Sequence, residues 1–223
     1  MTHQSTSRRA AIGQFAAACA WPAVLALLPL TLALAGCGAS LLPKPPAAPA
    51  RFTLDDQGAA AAARAPAAGA PVLVVAVPRA APGFDSTRMV YLRRAQELEA
   101  FAFHEWVDSP ARMLAPLMVR SLQGSGAFSA VLLAPSAAVG GWRLETELIR
   151  LQHDFIARPS SVRLTLRAVL VDTSTRQVIA WREFDETVPA AADDPVAGAV
   201  AAQQATRRVL AALAAFCADQ PRR

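Results

Sequence analysis

The chain has 223 residues, with 22 Lys and Arg against 17 Asp and Glu and a formal net charge of +5. The basic residues are scattered, with no stripe and no interleaved aromatics, so the composition gives no support to nucleic-acid binding. The length suits one domain plus a leader and a tether.

At the start, Arg8 and Arg9 stand without an acidic residue before a long apolar run from Ala10 to Gly36, interrupted by Pro22 and Pro29. The run ends in Leu34-Ala35-Gly36-Cys37, followed by Gly38-Ala39-Ser40. A basic start, an apolar middle and a small-residue cleavage site make a secretory signal. The Leu-Ala-Gly-Cys ending resembles the lipobox of bacterial lipoprotein precursors, in which diacylglycerol alkylates the cysteine thiol and the chain is cut just before it. Cleavage between Gly36 and Cys37, with lipidation of Cys37, is therefore expected. A transmembrane anchor is the competing reading, because about 20 apolar residues span a bilayer. The two prolines and the abrupt change to Pro43-Lys44-Pro45-Pro46 favour the signal. Ser7-Arg8-Arg9 touches the twin-arginine pattern, but Ala11 and Ile12 do not complete it, so general secretion is preferred.

Removing residues 1–36 leaves 187 residues, with 20 basic and 17 acidic side chains. Cys19 leaves with the signal and Cys37 carries lipid. Cys217 is then alone, so no intrachain disulfide can form. Its expected role is that of a small buried apolar residue on the last helix.

Residues 38–50 are rich in Ala and Pro, which favours an extended tether. Arg51-Phe52-Thr53-Leu54 reads as a short strand. Residues 56–71 return to Ala, Gly and Pro, and Gly58, Pro66 and Gly69 break any helix there. Val72 to Val77 is a nearly continuous apolar run, suited to a strand buried on both faces. Met89 to Leu92 is a second candidate strand, and Glu97 to Trp106 is either a strand or irregular. Asp108-Ser109-Pro110 opens a helix, with a cap and Pro at its first position. Leu114, Leu117, Met118 and Leu122 recur along it at helical spacing. Pro116 is expected to kink this helix or delay its start, and Gly124 and Gly126 to stop it. Phe128 to Leu133 reads as a strand.

Period-two alternation then runs through Leu144, Thr146 and Leu148, through Val162 to Leu170, and through Val178 to Thr187. Each strand has one buried and one wet face. The turn at Asp172 to Arg176 makes the last two a hairpin, and all three are expected to be antiparallel neighbours. Asp193-Asp194-Pro195 starts the last helix, whose packed face is read as Val196, Val200, Gln203, Leu210, Leu213 and Cys217. The fold class is α+β, two layers, with a mixed and largely antiparallel sheet carrying two main helices. The boundaries are 1–36 for the signal peptide, 37–50 for the lipidated cysteine and tether, 51–219 for the domain and 220–223 for a tail.

Chemistry is sparse. His104-Glu105-Trp106-Val107-Asp108 resembles the His-Glu-x-x-His metalloprotease core with Asp in the last place, and His153-Asp154 is a candidate third ligand. That chemistry needs ligands one helical turn apart, and here the pattern runs into a Ser-Pro helix start. An ordinary strand-to-helix junction is the preferred reading. There is no Gly-x-Ser-x-Gly elbow, phosphate loop or dinucleotide fingerprint. No catalytic residue, cofactor or metal is assigned. Trp106, Trp142 and Trp181 are read as core residues by default, with a protein or lipid contact surface as the alternative.

Several segments resemble, in order and spacing, the ABC-type transport auxiliary lipoproteins. Arg51-Phe52-Thr53-Leu54 is similar to the family's early Arg-Tyr-Thr-Leu. Phe84 to Tyr91 is similar to its Asp-x-x-x-Ile-Val-Tyr strand, and Phe101 to Trp106 to its Tyr-x-x-Trp lead into the first helix. Val169 to Asp172, with Val178 to Phe184, resembles its late hairpin. The resemblance implies a non-enzymatic lipoprotein that docks a periplasmic mammalian-cell-entry protein of an ABC transport system. Its expected home is the outer membrane, held there by acyl chains and facing the periplasm. Gly38, in place of the Asp linked to inner-membrane retention, is compatible with that sorting. An outer-membrane assembly factor or cell-wall synthase regulator is the alternative, and a homo-oligomer is left open.

Overall fold

A computed structural model describes residues 48–55, 65–66, 68–137 and 140–221. Gly36, Cys37, the leader and most of the tether lie outside those residues, as do 56–64 and 67 of the Ala-rich connection.

The described residues form nine strands and two helices. The strands are β1 (Ala50–Phe52), β2 (Val72–Val75), β3 (Arg79–Ala80), β4 (Arg88–Arg94), β5 (Glu97–Trp106), β6 (Ala130–Leu133), β7 (Trp142–Asp154), β8 (Ser161–Asp172) and β9 (Val178–Pro189). The helices are α1 (Pro110–Gly124) and α2 (Pro195–Ala218).

β7 is the spine. Along one edge it pairs antiparallel with β8, from Trp142 opposite Asp172 to Asp154 opposite Ser161. β8 pairs antiparallel with β9. The other edge of β7 receives three short parallel strands in turn, with Leu73 of β2 opposite Trp142, Arg79 of β3 opposite Glu147, and Tyr91 of β4 opposite His153. β6 extends the sheet beyond β2, and β5 and β1 extend it beyond β4. This is the mixed, mostly antiparallel two-layer α+β fold that the alternation implies. β3 was not expected, since two residues carry no period. β1 begins at Ala50 and ends at Phe52, one residue before and two residues short of the expected run.

The alternation maps directly onto the layers. Leu144, Leu148, Leu164, Leu166, Ala168 and Leu170 point toward the helices and are fully buried. Thr146 takes one place in that row, its hydroxyl 3.7 Å from the Met118 Sδ on α1. β2 does not alternate because it is paired on both edges and buried on both faces at Leu73, Val74 and Val75. At the β8–β9 turn, Asp172 Oδ1 accepts from Ser174 Oγ at 2.6 Å and from the N–H groups of Ser174 and Thr175 at 2.8 and 3.0 Å. These donors, led by the Ser174 hydroxyl, hold the carboxyl below its ordinary range.

Three helix details depart from the sequence reading. Pro116 does not delay α1, which runs without a break from Pro110. Its ring is exposed while Leu114, Ala115, Leu117 and Met118 on either side are buried, so tertiary packing holds a helix that the proline alone disfavours by about 3 kcal/mol. The start of α1 has no side-chain cap, since Asp108 Oδ1 accepts from the Ser109 N–H instead. On α2, where Asp194 does cap by accepting from the Ala197 N–H at 2.8 Å, the packed face is different. Val196 and Val200 are 55% and 49% exposed, and Gly198, Ala199, Ala201, Ala202 and Ala205 are buried in their place. At Gly198 the His153 ring leaves no room even for a methyl group, which would lie 2.5 Å from Nδ1. Farther along, Leu210, Leu213 and Cys217 are buried as expected, and burial pushes the Cys217 thiol up to about 12.

Candidate functional site

Both helices lie on one side of the sheet. Ser121 Oγ of α1 donates to the Leu210 carbonyl of α2 at 3.0 Å. α2 reaches β9 through Arg208 and Glu186 at 3.7 Å and through an edge-on contact between Phe184 and Phe216. The opposite, helix-free side of β7–β9 is left to the other half of each alternation: Arg143, Glu145 and Glu147, then Arg163, Thr165, Arg167 and Val169, then Trp181, Glu183 and Asp185.

The cross-strand register turns those residues into a ladder of ion pairs. Arg163 grips Asp185 through two nitrogens at 2.5 and 2.9 Å, and Thr165 donates to the same carboxylate at 2.8 Å. Arg163, with Thr165, holds the Asp185 carboxyl down to about 2. Arg167 bridges Glu147 at 3.4 Å and Glu183 at 3.1 Å, and Arg143 pairs with Glu145 at 3.1 Å. The charges are matched within the face, which makes it wet and register-specific but not strongly cationic or anionic.

Trp181 breaks that pattern. It is 65% exposed on the outermost strand, opposite Val169. Near the start of the same face, Val74, Val77, Ala134, Pro135, Arg143 and Thr173 line an open cleft of about 520 Å³. An exposed tryptophan beside an ordered polar lattice has the composition of a protein contact, because Trp and Arg carry much of the binding energy at interfaces. The default reading of the three tryptophans thus holds for Trp106 and Trp142, which are buried, and fails for Trp181. The signal was present in the alternation, since Trp181 shares parity with Glu183 and Asp185 and so belongs to the wet face.

The metalloprotease-like pattern comes apart in three dimensions. His104 and Glu105 are consecutive residues of β5 and point to opposite faces. His104 stacks on Phe52 at 6.0 Å, and Glu105 accepts from Arg51 at 2.8 Å. Asp108 lies past the strand and pairs weakly with Arg112 at 3.8 Å. His153 is buried on β7, while Asp154 accepts from the Ile156 N–H. Among the described residues no three His, Cys, Asp or Glu converge to hold a metal, and no helix is long and apolar enough to cross a membrane.

The family model described as the ABC-type transport auxiliary lipoprotein component matches residues 52–215. A solved Xanthomonas campestris protein, assigned to the family model DUF330, is 25% identical and superposes with a TM-score of 0.63, covering 77% of this chain and 94% of its own. A second solved structure, of an uncharacterized protein, is 12% identical with a TM-score of 0.60, covering 77% and 99%. It shows the fold alone. No curated protein matches the chain.

Proposed function

The chain belongs to the ABC-type transport auxiliary lipoprotein family, and from that premise we propose that it is a non-enzymatic docking component of a mammalian-cell-entry-type transport system, anchored on the outer membrane by acyl chains on Cys37. Membership in a lipoprotein family implies a membrane-associated place in the cell envelope. The observation that carries the reading is the family match across residues 52–215, directly behind the Leu34-to-Cys37 lipobox.

The domain plan follows from this. Residues 1–36 are the leader, and the chain from Cys37 to Ala50 is the tether. Its 13 residue-to-residue steps, if fully extended, span at most about 45 Å. That reach holds the domain near the bilayer and leaves its contact surfaces free to meet a periplasmic partner. The surface offered to the mammalian-cell-entry protein is the helix-free face of β7–β9, with Trp181 as its anchor and the ion-pair ladder as its register.

The test is purification of the tagged full chain from crosslinked envelopes. The expected product contains a mammalian-cell-entry protein. Recovery of an outer-membrane barrel or a cell-wall synthase in its place would move the protein to the alternative class of envelope lipoproteins. A parallel Cys37→Ser variant should lose acyl labelling and leave the membrane fraction, and retention of either property would refute the anchor.

A further inference from the structure

His153 is 4% exposed, its ring turned from β7 into the helix layer. Nε2 lies 3.0 Å from the hydroxyl of Ser160, which is itself buried. The Ser160 N–H donates to Asp193 Oδ1 at 3.3 Å, and the nearby Ser160 holds the Asp193 carboxyl below its ordinary range. Of the two ring nitrogens only Nε2 has a partner, and the Ser160 Oγ can accept from it, so the neutral ring is best served with its proton on Nε2 and a lone pair on Nδ1.

That Nδ1 has no partner. It faces Gly198 in the first turn of α2, where a methyl group would lie 2.5 Å from it. The Gly198 N–H is already given to the Asp194 carbonyl at 3.0 Å. Beside the contact lies a small crevice of about 10 Å³, lined by Met89, Phe101, Trp106, Gln152, Val162 and Ala202. Space of that size holds one water at most. Phe155 covers the ring at 4.1 Å and Phe101 at 6.5 Å.

We propose that His153 is a proton-operated latch on the first two turns of α2, Pro195 to Ala202. In the closed state the imidazole is neutral and Gly198 seats against Nδ1. A proton taken from solvent onto Nδ1 creates a buried N–H facing Gly198 and a charge with at most one water beside it. Both costs are relieved when the turn lifts from the sheet. The lifted turn uncovers Phe101 and Trp106 next to Val196 and Val200, which are already exposed, and so creates a continuous apolar surface.

The charged neighbours set the strength of this device. Asp193 and Asp194 precede α2, Asp154 follows on β7, and all three favour the protonated ring. Arg158 sits 3.8 Å from Asp193 and offsets it. Tyr91 of β4 is the register neighbour, and β5 contributes Phe101, with His104 beyond it. The turn of α2 packed on the ring, residues 195–202, contains no titratable side chain. Burial is the largest influence and pulls the histidine below its ordinary value. The closed state is thus fully favoured above the ordinary histidine range near 6.5 and loses favour as pH falls below it.

The test is hydrogen exchange on the full-length chain in detergent between about pH 7.5 and 5, corrected for intrinsic exchange. Protection at 196–203, relative to α1, should fall by up to about tenfold per pH unit, the limit for one linked proton. His153→Gln should flatten that dependence. A wild-type profile that matches the variant, or a loss spread equally over α1 and β7–β9, overturns the latch. If the variant does not fold, ring NMR of the wild type decides. The His153 ring and the amides of 196–203 should titrate with one midpoint, and movement of either without the other contradicts the proposal.

Discussion

On the side of β7–β9 that meets the helices, Leu144, Leu148, Leu164, Leu166 and Leu170 are wholly removed from water. One residue away along the same strands, Arg163, Arg167, Glu147, Glu183 and Asp185 form a paired lattice in solvent. The first face draws stability from apolar burial, at roughly 25 cal/mol per Å². The second draws little, because exposed ion pairs contribute about 0.2–1 kcal/mol each. Apolar burial does not account for Trp181, which is 65% exposed on that second face. Under the proposed docking role the two faces separate folding from function within a single three-stranded unit.

Substitutions can sharpen or break that separation. The largest effect is expected from Leu166→Ala, which opens a cavity at a fully buried site and should cost about 2–5 kcal/mol in urea unfolding. Next is Gly198→Ala. Its methyl group meets His153 Nδ1 at 2.5 Å, so a net loss of about 1–3 kcal/mol is expected, despite the better helix propensity of alanine. A double-mutant cycle with His153→Ala should recover part of it. Asp185→Asn, on the outer face, should cost no more than about 1 kcal/mol near neutral pH.

The Asp185 effect carries a pH signature. Its folded value is depressed to about 2, so its contribution is present above the ordinary aspartate value near 3.9 and is lost as pH falls through about 2. The variant should therefore show a shallower acid limb than the wild type between those values. The smallest effect on stability belongs to Trp181→Ala, within about 0.5 kcal/mol, although it should remove most partner capture. A Trp181 variant that unfolds the domain would erase the distinction between the faces.

Much of this division was legible in the sequence. The alternation through 144–148, 162–170 and 178–187 gives the three long strands and assigns their faces, because one wet and one dry face impose a period of two. Asp194 before Pro195 correctly opens α2. What stayed hidden depends on contacts distant in sequence. β3 is two residues held only by β7. Pro116 is tolerated because its neighbours are buried. Gly198 lies on the buried face of α2 in place of a larger residue because His153 on β7 occupies the space. Trp181 departs from the core expectation for a different reason: tryptophan as a residue type favours burial, but its parity with Glu183 and Asp185 puts it on the wet face. The proposed lipidation of Cys37 rests on the lipobox, a local sequence pattern that needs no fold to be read.

The proposed docking of the transport partner on the helix-free face is open to a direct test. A photoreactive residue placed at position 181 in living cells tests it most directly, with the same probe at the exposed Arg207 on α2 as the control. The account predicts a crosslink to a mammalian-cell-entry protein from position 181 and none from position 207. Equal yields from both positions, or a partner trapped only from position 207, would contradict it.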